Sequence, residues 1–237
     1  MQLVIITGAT RGFGRSLALS FSRLSRSKDI HFVLSGRDVS GLHAAKAELL
    51  ACRAAVPGCV PGCGEIRVDV VVADLADMDA LPAATEQLLL HIPTAATGES
   101  KYDSAVLVNN AGSLGELACL GLSGEPDGSR RLRSIVDNMN LNVSSTIHIT
   151  SEFIRKVAAA REGGCMLGGT TFIVNVSSLC AVQPFDSWGL YCTGKVRSSY
   201  PFTLIASLFF THQCRRRETC CTLWWAASRR RRATSRR

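Results

Sequence analysis

The chain has 237 residues, with 27 Lys and Arg against 19 Asp and Glu for a formal net charge of +8, and 46% of it is hydrophobic. That length suits one domain or at most two, and the composition excludes a disordered or fibrous protein. The charge excludes less than it suggests: residues 196–237 hold ten bases and one acid, leaving 1–195 at a net −1, so the body offers no overall basic surface for nucleic acid.

The first apolar, β-branched run, 3–7, reads as a strand with no basic stretch before it, so no secretory leader is expected. It runs into Gly8-Ala9-Thr10-Arg11-Gly12-Phe13-Gly14 and an apolar helical pattern through 24. Residues without Cβ let backbone amides close on a phosphate, and the helix N-terminus adds oriented N–H groups. Strand, glycine turn and helix in this order are what dinucleotide binding requires, so residues 8–14 are read as cofactor-binding. A second strand, 31–35, ends at Ser35-Gly36-Arg37, with Asp38 just beyond. An acid at this strand end would take the ribose hydroxyls of NAD, whereas Arg37, with Arg11 in the turn, can pair with a 2′-phosphate. NADPH is therefore the expected cofactor. Asp38 lies among its candidate contacts and is also read as the start of the next helix, 39–50.

Strand patterns recur at 66–73, 105–108 and 171–176, with a long helical pattern at 134–160. Strands separated by helices imply βαβ units and right-handed crossovers, hence an α/β fold with a doubly wound parallel sheet of Rossmann type. Ser177-Ser178 closes the fifth strand, and Tyr191-Cys192-Thr193-Gly194-Lys195 follows. Tyr191 and Lys195 share a helical face, where an ammonium draws a phenol pKa from about 10 toward neutrality.

These motifs, in this order, resemble the short-chain dehydrogenase/reductase family. Gly-x3-Gly-x-Gly is joined by Asp74-Leu75 after strand three, Asn109-Asn110-Ala111-Gly112 after strand four, Asn142 in the long helix, and Ser178 thirteen residues before Tyr191. The resemblance implies that Asp74 and Leu75 lie against adenine and that Asn109, Ala111 and Gly112 border the cofactor. It implies that Asn142 holds a water in a proton relay and that Ser178, with Leu179 beside it, meets the substrate carbonyl. Tyr191 would donate the proton, while Lys195 would hold the nicotinamide ribose and lower the Tyr191 pKa. The stretches TGATRGFGR, NNAGSLGE and NVSSLCAVQPFDSWGLYCTGK are similar, flanks included, to the branch of the family that reduces side-chain carbonyls of pterins. A small pterin is thus the expected substrate, with a cytoplasmic location. A homodimer is the family expectation, weakened here by the interrupted helix after strand five. Neither nucleic acid nor a membrane is an expected partner; the alternatives are a reductase of other ketones, or a non-catalytic nucleotide-binding protein whose basic tail contacts nucleic acid or an acidic membrane.

Several residues carry plainer readings. Trp188 and Phe185 either stack on a planar substrate or pack locally. The ten cysteines show no paired spacing with histidines at ligand distance, so no metal is expected. His91 and His148 are read as packing or surface residues. Asp77 and Asp79 are read as helix-start residues rather than a catalytic pair.

After Lys195 the resemblance ends. The domain is expected to occupy 1–195, followed by a divergent, poorly ordered basic tail, 196–237, in place of the sheet's last strands and the loop over the nicotinamide. An open sheet edge and a missing lid predict severely reduced or absent activity and poor stability. Val196-Arg197 can be encoded as GTGAGG and 208–213 as a pyrimidine tract ending CAG, the two ends of an intron, and 217–225 read in another frame restores a family-like helix. The expectation is a retained intron followed by a frameshift, which the transcript across the Lys195 codon tests.

Overall fold

The structure is a computed structural model that describes residues 1–25, 28–54, 64–93, 102–119, 124, 126–163 and 171–196. The tail expected at 196–237 lies, from 197 onward, outside the described residues.

Strand β1 (Gln2–Thr7) leads into helix α1 (Gly12–Leu24), then β2 (Ile30–Gly36) and α2 (Val39–Ala54). Strand β3 (Ile66–Val72), helix α3 (Leu81–Leu88) and strand β4 (Ser104–Asn109) follow. Helix α4 (Gly128–Met139) passes through a π-helical turn (Asn140–Ser144) into α5 (Ser145–Glu162), and β5 (Thr171–Asn175) completes the sheet among the described residues. All pairings are parallel, and the strand order is β3-β2-β1-β4-β5. This is the expected doubly wound Rossmann-type sheet. The chain moves outward from β1 to β3 and then returns to place β4 on the other side of β1. Crossovers on the two sides of β1 therefore diverge, and a crevice opens at the C-terminal ends of β1 and β4.

Alternation along the strands divides the core into two layers. Leu3, Ile5, Val33 and Leu107 pack against Leu81 and Leu88 of α3 and against Ile149, Phe153 and Val157 of α5. Val4, Ile6, Phe32, Leu34, Val106 and Val108 face the other way, onto Ala18 of α1 and Leu42, Ala45 and Leu49 of α2. A fully buried Leu, Ile or Phe of this kind contributes about 1.5–3 kcal/mol. The central strands are apolar on both faces because helices cover both, whereas β5 is half-buried throughout.

Two features differ from the helical patterns read in the sequence. The expected helix at 134–160 begins earlier, at Gly128, where the Asp127 carboxylate accepts from the Ser129 N–H at 2.8 Å. Its apolar pattern also hides the π-helical turn at Asn140–Ser144. Helix α3 is shorter than a periodicity search resolves. Its start was legible in Asp77, whose carboxylate accepts from the N–H groups of Asp79 at 3.0 Å and Ala80 at 3.1 Å.

Candidate active site

The crevice encloses about 570 Å³ and is lined by the glycine turn, the ends of β2 and β3, and the segment after β4. Thr7 organises its base. The Thr7 hydroxyl accepts from the N–H groups of Asn110 and Ala111, both at 3.0 Å. Asn110 Nδ2 in turn donates to the carbonyls of Thr7 at 3.0 Å and Gly8 at 2.9 Å. Gly8 has φ +67, and a Cβ there would lie 2.8 Å from the Ala111 Cα. A Cβ on Gly14 would collide with the Gly8 carbonyl and Asn110 Nδ2. Glycine is thus required twice, once for backbone conformation and once for close approach, and the space kept open at the α1 N-terminus suits a pyrophosphate. The residues present fit a dinucleotide.

Most of the expected cofactor residues converge here. Gly8, Thr10, Arg11, Phe13, Gly14, Arg37, Asp38, Leu75, Ala111 and Gly112 all line the crevice. Ala9 does not: it is fully buried, and its N–H donates to the Ser35 carbonyl at 2.9 Å. Gly12 takes φ +56 at the first residue of α1 and is not among the lining residues. Asp74 is also set back, with one oxygen accepting from the Ala76 N–H at 3.0 Å and the other 3.6 Å from Arg37 Nη1.

Asn109 is turned away from the crevice. Its Nδ2 donates to Thr150 Oγ1 and to Asn175 Oδ1, both at 2.8 Å, so it ties β4 to α5 and β5. Asn110, one residue on, faces the crevice instead. Strand alternation was the signal for this exchange: consecutive residues at the end of β4 point to opposite faces. Gly36, Ala73 and Leu141 complete the lining and were not singled out from the sequence.

Asp38 behaves as the helix-start residue its position suggested. Its carboxylate accepts from the Ser40 hydroxyl at 2.8 Å, and its carbonyl accepts from the Leu42 N–H at 3.0 Å. The Ser40 hydroxyl, then the Gly41 N–H, hold its carboxyl below the usual range, with Arg11 adding a smaller pull. Asp38 is thus tied to the start of α2.

Deeper in, Ser178 begins the short turn Leu179–Ala181, its Oγ accepting from the Cys180 N–H at 3.3 Å. Tyr191 and Lys195 lie on a helical stretch, 189–196, one turn apart. Lys195 Nζ sits 5.5 Å from the Tyr191 ring centre, is almost fully buried, and donates to the Val176 carbonyl at 3.1 Å. A Cβ on Gly112 would lie 3.0 Å from Asn142 Oδ1 and 3.4 Å from Lys195 Nζ, so these three residues meet. Asn142, in the π-helical turn, donates to the Ser113 carbonyl at 2.9 Å and the Asn138 carbonyl at 3.0 Å, and accepts from the Ser113 N–H at 3.1 Å. The wider turn thereby pins the segment after β4 against Lys195. Ser113 and Asn138, which hold it, escaped the sequence reading. Leu179 is exposed beside Ser178, and Phe185, Trp188 and Tyr191 follow in series, with ring centres 5.7 and 6.1 Å apart.

One electrostatic expectation is corrected. Tyr191 is not drawn toward neutrality: burial pushes its phenol up, and a hydrogen bond from Ser178 offsets this only in part. Burial pushes the Lys195 ammonium down in turn, against a smaller opposing pull from Cys180. The ammonium lies over the ring and is engaged by the Val176 carbonyl, so burial dominates both groups. With its pKa raised above the usual phenol value, Tyr191 carries its proton at physiological pH. A proton-donating step should stay level through mildly alkaline pH and fall only beyond the ordinary phenol value of about 10. A single-turnover pH profile checks this, since a lysine-activated tyrosine would break nearer neutrality.

Comparison with known proteins places this site in context. The profile of the short chain dehydrogenase family matches residues 2–199. Sepiapterin reductase of Bos taurus is 31% identical over 205 residues, covering 86% of this chain and 67% of that protein. Sepiapterin reductase of Rattus norvegicus is 30% identical over 202 residues, with 85% and 67% covered. The chain thus spans about two thirds of the length of both relatives. A metagenomic short-chain oxidoreductase solved in complex with NADP superposes with a TM-score of 0.63 at 26% identity, covering 90% of this chain and 78% of that one. Among the described residues, no helix is long and apolar enough to cross a membrane.

Proposed function

The chain belongs to the short chain dehydrogenase family, and from that premise we propose that it is an NADPH-dependent reductase of pterin side-chain carbonyls, of the kind sepiapterin presents. The observation that carries the reading is the Tyr191–Lys195 pair, with buried Lys195 Nζ 5.5 Å from the Tyr191 ring centre and close to Gly112 in a crevice that fits a dinucleotide. The two sepiapterin reductases at about 30% identity support the pterin. The planar side chains of Phe185 and Trp188 beside Tyr191 suit a flat heterocycle.

Each group then has a distinct task. Ser178 donates a hydrogen bond to the carbonyl oxygen and polarises it. Tyr191, kept neutral by burial, gives that oxygen its proton as the carbonyl becomes an alcohol. Lys195, held on the Val176 carbonyl, places a positive charge beneath the phenolate that the transfer leaves. Asn142 keeps the segment after β4 in register with Lys195. Held at the glycine turn and by Arg37, a nicotinamide cofactor would supply the hydride chemistry of the reduction.

Preference for the phosphorylated cofactor rests on Arg37 and Arg11 at the β2 end, with Asp38 engaged elsewhere. Arg37→Glu should weaken NADPH by about 10–100-fold, the loss of one charge-assisted contact, and leave NADH little changed. Fluorescence titration of both cofactors checks this, and equal losses would remove Arg37 as the discriminating residue. The reading as a whole is tested by pterin-dependent NADPH oxidation with enzyme in excess over sepiapterin. Tight NADPH binding without that oxidation would remove the reductase assignment.

A further inference from the structure

The N-terminal end of the sheet, opposite the crevice, carries a group of side chains that the reductase chemistry does not use. His31, on β2, and Asp69, on β3, project from the same sheet face, because Asp69 pairs in register with Val33, two residues from His31. His91 follows α3 on that face. His31 Nε2 and His91 Nε2 both lie 2.9 Å from the same oxygen, Asp69 Oδ2, and the two rings are 4.4 Å apart. Their donor atoms all lie within 4.8 Å of one another.

We propose that His31, Asp69 and His91 form a binding site for a divalent transition metal, with zinc the best match, separate from the reductase site. Two imidazoles and one carboxylate are a borderline donor set that suits zinc, and three protein ligands leave one tetrahedral position for water. Tetrahedral zinc at about 2.0–2.2 Å from each ligand holds its donors about 3.3 Å apart. Widening the present 2.9 Å separations by a few tenths of an ångström therefore admits the ion. Convergence of both imidazoles on one oxygen also explains why a metal suits the site better than protons do. Two imidazolium ions this close would repel each other, whereas one cation can bind all three donors together.

The supporting shell is present as well. His31 Nδ1 lies 2.6 Å from the hydroxyl of Tyr102, which is itself buried. A neutral hydroxyl there can accept Nδ1–H and so direct the Nε2 lone pair of His31 toward the metal. Asp69 is 51% exposed, which gives an ion a path from solvent. The ligands come from β2, the outer strand β3 and the turn after α3, so a bound ion ties the β3 side of the sheet to the segment that leaves its covering helix.

The test uses the full chain and cobalt(II) as a spectroscopic stand-in, followed by zinc competition. Wild type is expected to develop d–d bands that saturate at one equivalent, without thiolate charge-transfer absorption, and to lose them when zinc is added. Asp69→Asn and His91→Ala should each weaken binding at least about 10-fold while NADPH titration is unchanged, and zinc should raise the Tm of wild type alone by several degrees. Absent or non-saturating d–d bands in wild type would overturn the site. So would a thiolate-type spectrum that survives both substitutions, since it would assign the metal to cysteines. If either variant is misfolded by circular dichroism, the wild-type spectrum and its zinc competition still decide the question.

Discussion

Tyr191→Phe should lower single-turnover reduction of sepiapterin by about 10²–10⁴-fold, the range that one positioned general acid supplies, while NADPH affinity changes little. The substitution removes only the hydroxyl. The ring keeps its place beside Trp188 and over Lys195, whose ammonium remains bonded to the Val176 carbonyl. Ser178 can still polarise a carbonyl but has no proton of comparable position to give. The informative comparison is with Ser178→Ala, which leaves the donor in place and should cost less. An unchanged rate in Tyr191→Phe, with the fold intact by circular dichroism, would transfer the donor role elsewhere.

Gly14→Ala should abolish measurable cofactor binding at ordinary concentrations and lower Tm. The new Cβ meets backbone, the Gly8 carbonyl, and the Asn110 amide that holds the turn. Backbone cannot swing aside as a flexible side chain can, so the turn must open. Overpacking of this kind costs about 1–3 kcal/mol, and a displaced Gly8 also moves the phosphate cradle, so an affinity loss of about 100-fold or more is expected. Gly12→Ala is the useful contrast. Its Cβ would meet nothing within 4 Å, and only its φ of +56 resists the change. A smaller loss in Gly12→Ala separates close approach from backbone strain, and equal losses would show that conformation alone sets the turn.

The parts that were legible in the sequence are those whose cause is local. A β-branched run, a glycine turn and a helix are neighbours in the chain, so β1, residues 8–14 and α1 could be read together, as could Asp38 and Asp77 at their helix starts. Tyr191 and Lys195 share a helical face by spacing alone. What the sequence hid depends on direction or on distant partners. Whether Asn109 or Asn110 faces the crevice is decided by strand alternation and by Thr150 and Asn175, far along the chain. The π-helical turn around Asn142 keeps the apolar pattern of a continuous helix, and its partners Ser113 and Asn138 carry no signature of their own. The direction of the Tyr191 shift follows from burial, which spacing does not report. His31, Asp69 and His91 come from three separate elements and become a group only through the register of β2 on β3.

The reductase reading is tested most directly by isotope transfer from NADPH deuterated at the transferable position of the nicotinamide. The 237-residue chain, in excess over sepiapterin, should place one deuterium on the former carbonyl carbon of the pterin, and Tyr191→Phe should suppress that transfer. Mass spectrometry reads both outcomes in a single turnover. Deuterium that stays on a tightly bound cofactor, with sepiapterin recovered unchanged, would contradict the proposed function.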